Sequence, residues 1–85
     1  MRIVTTKTFE DDYAALPENI KTLANRKLRL FMQNPRHPSL RMKKMHDPRD
    51  IREGRITKNY RFTFQIEGDI YLLRRIGTHD ILKTP

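Results

Sequence analysis

The stretch from Tyr60 to Ile76 leaves this chain little choice of fold. YRFTFQI, residues 60–66, alternates without a break: Tyr60, Phe62, Phe64 and Ile66 fall on one side of an extended chain, and Arg61, Thr63 and Gln65 on the other. Glu67-Gly68-Asp69 then reads as a tight turn, with Gly68 able to take a positive φ. IYLLRRI at 70–76 returns as the partner strand. One side of this hairpin is aromatic and must be covered, while the other side can face water.

The preceding residues supply the cover. RIVTT near the start has the β-branched content of a short strand. Thr8 offers a helix N-cap with Asp11 three residues on, a carboxylate variant of the capping box. Phe9, Tyr13 and Leu16 follow at helical spacing. Pro17 suits the first turn of a second helix, where its missing N–H costs nothing. That helix runs to about Gln33, with Ile20, Leu23, Ala24, Leu28 and Phe31 forming one apolar stripe. Asn34-Pro35 ends it, because a residue before proline is pushed out of the α region. LRMKKM and IREGRIT read as two further strands. The order β-α-α-β-β-β-β predicts one α+β domain over residues 1–85: a small twisted antiparallel sheet with a two-helix hairpin on one face. Arg61, Thr63 and Gln65 are expected on the wet face, Arg61 with a possible ion pair to Glu53 or Glu67.

Charge narrows the function. Eighteen Lys and Arg against ten Asp and Glu give +8 on 85 residues. Residues 36–61 alone carry nine cations and three acids. Leu40, Met42, Met45, Ile51 and Ile56 are interleaved among them, so this is a folded basic face rather than a tail. Such a face is the footprint of a phosphate-rich partner, against the plainer alternative of a solubilising surface. There is no cysteine, hence no disulfide and no thiolate metal site. No signal peptide or membrane-length apolar run is evident, and a cytoplasmic protein without membrane contact is expected.

Chemistry has few carriers. His37, His46 and His79 lack recognisable metal-ligand spacing, so no metal or other cofactor is expected. There is no glycine-rich phosphate loop and no arrangement for a serine or cysteine nucleophile. General acid–base chemistry on a charged substrate remains. RNA cleavage by 2′-OH attack needs a base, an acid for the leaving 5′-oxygen, and cations for the developing phosphorane. His79 is the acid candidate, since histidine titrates near neutrality without help. Arg61 can contact phosphate bidentately, and Lys43, Lys44 and Arg55 can add further contacts. Taken alone, a histidine after a strand is more often a surface residue, and Lys43-Lys44 is an ordinary solvated pair.

NPRHPSLRMKKM, IREGRITKNYRFTFQIEGD and LLRRIGTHDIL together resemble the RelE/ParE superfamily of toxins from type II toxin–antitoxin systems, over nearly the whole chain. The resemblance implies a metal-free, ribosome-dependent mRNA endoribonuclease silenced by a cognate antitoxin that wraps it and covers or distorts its basic face. It implies Arg61 as the phosphate-contacting arginine and His79 as the C-terminal histidine of the YoeB and YafQ branches. Lys43 and Lys44 fall where basic residues of the relatives' second strand contact RNA, Arg55 falls on the third strand opposite the Arg61 strand, and Asp80 stands where some relatives keep a base-stacking aromatic. No aromatic follows Tyr71, and the acidic base of one branch would fall near Ser39. A ParE-like inhibitor of DNA gyrase, without nuclease chemistry, is therefore the alternative. In RRIGTHDIL, strict alternation would let only one of Arg74 and Arg75 face water.

Overall fold

In the computed structural model, which describes all 85 residues, β1 (Arg2–Thr5) leads into α1 (Lys7–Ala14) and α2 (Glu18–Gln33). The chain then forms β2 (Lys43–Lys44), β3 (Arg52–Arg55), β4 (Tyr60–Glu67) and β5 (Ile70–Thr78). Short 3-10 segments occupy Pro38–Leu40 and His79–Lys83. One sheet holds all five strands in the order β1-β5-β4-β3-β2. This is the expected α+β architecture with one amendment. The strands from β2 to β5 are antiparallel, but β1 lies parallel to β5, so the sheet is mixed. No hairpin links β1 to β5, so no turn dictates their direction. The parallel register sets Ile3 opposite Tyr71, and both pack against the core.

The aromatic side of the β4–β5 hairpin faces the helices, as its alternation requires. Phe31 of α2 meets Phe62, Phe64 and Tyr71 edge-on, with centroids 5.3, 5.0 and 5.6 Å away. Each such pair contributes about 0.5–1.5 kcal/mol beyond its buried area. Ala24 and Phe31 are fully buried, and Ile20, Leu23 and Leu28 of the same stripe pack on the same core. Pro17 stands just before α2 rather than within its first turn. The α1 cap is Thr6, not Thr8: its hydroxyl accepts from Phe9 N at 3.0 Å and donates to Arg74 O at 2.8 Å. A cap at Thr6 ties the helix to the sheet, which Thr8, already inside the helix, does not do. Gly68 turns the hairpin with φ +59°.

The second face departs most from expectation. Arg61 is only 7% exposed and Thr63 fully buried, so this face is not wet there. The His79–Lys83 segment packs on β4 and β5, with Ile81 against Gly77. From the β2–β3 connection, Arg49 O accepts from the Gln65 amide at 2.8 Å. The pairing of β4 with β5 also slips: Thr63 faces Arg75 and Phe64 faces Leu73, leaving Arg74 as an extra residue in a β-bulge. The bulge breaks the alternation expected of the two arginines. Arg74 Nε donates to Pro85 O at 3.0 Å, and Arg75 Nη1 donates to Thr84 Oγ1 at 3.0 Å, so both guanidiniums hold the C-terminal segment. No helix is long and apolar enough to cross a membrane.

Candidate functional site

The pairing register assembles one end of the sheet. Arg61 lies directly between Arg55 on β3 and Gly77 on β5, and Tyr60 lies opposite Thr78. His79 is the next residue, and its N–H donates to Asn59 O at 3.2 Å. Residues 56–59 connect β3 to β4, so His79 is tied to the same connection whose carbonyls Arg61 binds. Arg61 Nη1 donates to the carbonyls of Thr57, Lys58 (2.6 Å) and Tyr60 (3.2 Å). Mid-strand arginine here is explained by neither Glu53 nor Glu67, because no acid pairs with it. The expected salt bridge is replaced by backbone carbonyls, which the turn presents to the guanidinium with no partner side chain to order.

Electrostatics make this end unsatisfied. Burial, the charge of Arg55 and that of Arg41 push the Arg61 guanidinium below its ordinary value, against an opposing pull from Glu53. A buried cation with like charges beside it and no ion-pair partner is stabilised by any anion that arrives. Arg41, fixed in the left-handed region at φ 45°, was not singled out by sequence. Nothing in the local pattern marks it, since its proximity to Arg61 depends on how the Pro38–Leu40 turn folds back. Asn59 was missed for the same reason: its part is played by a carbonyl, which every residue owns.

The other expected residues are distributed around this centre. Register places Lys43, opposite Glu53, on the face of Arg55 and Arg61, and places Lys44, opposite Arg52 and in line with Phe64, toward the helix side. Lys44 also pairs with Asp50 at 3.1 Å. The two lysines are thus divided between the faces, as adjacent strand residues must be. His79 and Asp80 are both exposed. No hydrogen bond joins them; Asp80 instead lines a cleft with Tyr60, Thr78 and Leu16. No group of three or more acidic or histidine side chains is arranged to hold a metal ion.

Neither a protein-family model nor a curated protein sequence matches the chain. Solved structures do. YafQ from E. coli strain BL21(DE3) superposes with a TM-score of 0.79 at 15% identity, over 96% of this chain and 98% of that one. The YoeB/ParE toxin from Agrobacterium tumefaciens gives 0.76 at 19% identity, over 93% and 99%. The E. coli DinJ–YafQ toxin–antitoxin complex gives 0.78 at 13% identity, over 94% and 93%.

The chain has the RelE/YoeB/YafQ toxin fold. Coverage is nearly complete in both directions, so the likeness of fold extends over almost the whole chain. Within it, the basic end formed by Arg41, Arg55, Arg61 and the His79 turn belongs to this chain's own sequence, and its chemistry has to be argued from those residues.

Proposed function

We propose that this protein is the toxin of a type II toxin–antitoxin pair and acts as an endoribonuclease on ribosome-bound mRNA. The observation that carries the reading is Arg61: a buried guanidinium crowded by Arg55 and Arg41, with no acid paired to it. Phosphate in the transition state of 2′-OH attack gains negative charge on its equatorial oxygens, and this cluster favours that charge more than the ground state's. Arg61 stabilises the phosphorane, and Lys43 and Arg55 hold the flanking phosphate. His79, exposed on the adjoining turn, acts as general acid or base. Asp80 stands at the rim of this surface, while Lys44, turned to the helix side, takes no part in it.

A cognate antitoxin is the second part of the proposal. At +8, the protein favours an acidic, partly disordered segment that folds on binding. An open apolar cleft lined by Phe9, Tyr13, Leu28 and Leu73 offers such a segment a seat along the helices.

Primer extension on mRNA from a reconstituted translation reaction tests the activity. Cuts should appear at discrete positions with ribosomes present and vanish without them. Uncut mRNA together with blocked gyrase supercoiling would overturn the reading in favour of the ParE-like one.

A further inference from the structure

We propose that Asp12 and Arg75 form a clamp that positions the C-terminal segment carrying His79, so that α1 helps to set where that histidine stands. The catalytic half of this inference rests on the role assigned to His79 above. The clamp itself does not.

Asp12 takes Arg75 at two points, Nε to Oδ2 at 2.9 Å and Nη2 to Oδ1 at 3.0 Å. The same Oδ2 accepts from Ile76 N–H at 3.2 Å. That N–H lies beyond the end of β1, whose pairing with β5 stops at Thr5 and Leu73, so the carboxylate substitutes for the missing strand. The third nitrogen of Arg75, Nη1, donates to Thr84 O at 3.3 Å and Thr84 Oγ1 at 3.0 Å. One guanidinium therefore joins a helix, a strand and the terminal segment with every nitrogen engaged. The Asp12 and Arg75 side chains are 16% and 26% exposed, so water and salt screen the pair less than an open surface bridge.

The segment depends on this link because it has little else. Among residues 79–85 only Ile81 is buried. His79 N–H to Asn59 O holds the near end, Ile81 on Gly77 the middle, and the two arginines the far end. A short segment with one buried side chain opens locally at low cost unless polar contacts hold it. Without the Arg75 contacts the far end keeps only Arg74 Nε to Pro85 O, so the turn can pivot about Ile81, and His79 sits on the other arm of that pivot. Asp12 and Arg75 are accordingly positioning residues.

The test compares the full chain with Asp12→Asn, Arg75→Gln, Arg75→Lys and Thr84→Val. Asp12→Asn keeps an acceptor for the Ile76 N–H but loses the charge. Hydrogen exchange is read at the His79 and Thr84 amides, which donate to Asn59 O and Ile81 O, with β4 amides as the reference. Exchange at His79 and Thr84 should quicken about tenfold or more in Asp12→Asn and Arg75→Gln, with β4 unchanged and partial recovery in Arg75→Lys. On ribosomes, kcat should fall roughly 10- to 100-fold with KM changed by less than about twofold, as displacement without lost binding requires. Unchanged exchange at both amides would overturn the clamp. So would an increase shared equally by β4, which would mark general destabilisation. Should Asp12→Asn fail to fold, Thr84→Val asks the same question from the far end. If the wild type cuts no RNA, the proposed function fails while exchange still decides the clamp.

Discussion

Gly54→Ala should be among the most damaging single-methyl changes in this protein. Gly54 pairs with Phe62 across β3 and β4, and a Cβ there would press on Phe62 Cε1 and Cζ and lie 3.2 Å from Cε2. The ring has no retreat: it is fully buried, edge-on to Phe31 at 5.3 Å and stacked on Phe64 at 5.7 Å. Either the ring leaves its packing or β3 bows away from β4, loosening the Arg55–Arg61 pair. Overpacking of this kind costs about 1–3 kcal/mol. Replacing glycine restricts the unfolded chain and returns about 0.4–1 kcal/mol. A contact this close to a fixed ring belongs in the upper part of the overpacking range, about 2–3 kcal/mol. The net loss is therefore about 1–2.6 kcal/mol, which for a domain of this size lowers Tm by about 4–20 °C. Thermal unfolding followed by circular dichroism reads it. Phe62→Leu in the Gly54→Ala background should cost far less than Phe62→Leu alone, because the smaller side chain makes the room the methyl needs. A Gly54→Ala protein melting within about 1 °C of wild type would refute the packing argument.

Three further outcomes follow from the same contacts. Thr63 is fully buried with no partner for its hydroxyl, so Thr63→Val should stabilise by about 1 kcal/mol and raise Tm by about 4–8 °C; a drop would mean the hydroxyl is satisfied. Lys43→Ala should weaken RNA binding about equally for all sequences and reduce the salt slope by about 0.7, as loss of one phosphate contact to a single strand does; an unchanged slope would remove Lys43 from the interface. Asp47 is lowered to about 2, chiefly by the Arg49 guanidinium and also by the Arg49 N–H. A carboxyl lowered on folding adds stability above its unfolded pKa and loses it as pH falls toward the folded value. The stability gap between wild type and Asp47→Asn should therefore be full above about pH 4 and shrink from there down to about pH 2. A gap that does not change with pH would contradict this.

Strong local patterns proved legible, and contacts made by distant segments did not. Alternation at 60–66 and the stripe from Ile20 to Phe31 identify the two surfaces that form the core, because periodicity records burial directly. The resemblance set the strand of Arg55 opposite that of Arg61, but their direct pairing emerges only from the register across the four-residue connection. The dry second face was not legible. Its cover comes from Ile81 and from the β2–β3 connection, and a five-residue 3-10 segment with one buried side chain is too short to carry a periodic signal. The bulge at Arg74 was hidden too, because RR on a strand reads as alternation unless a slip is known. Asp12 is the sharpest case: within α1 it looks like a solvated acid, and only the end of β1 beside β5 reveals the unpaired N–H it serves.

The proposed role of Arg61 and His79 as one catalytic end of the sheet stands or falls on His79. Single-turnover cleavage on translating ribosomes, wild type against His79→Ala, addresses it most directly. The rate should fall by about 10²–10⁴-fold, with ribosome binding and Tm unchanged. A His79→Ala protein that cuts as fast as wild type would contradict it.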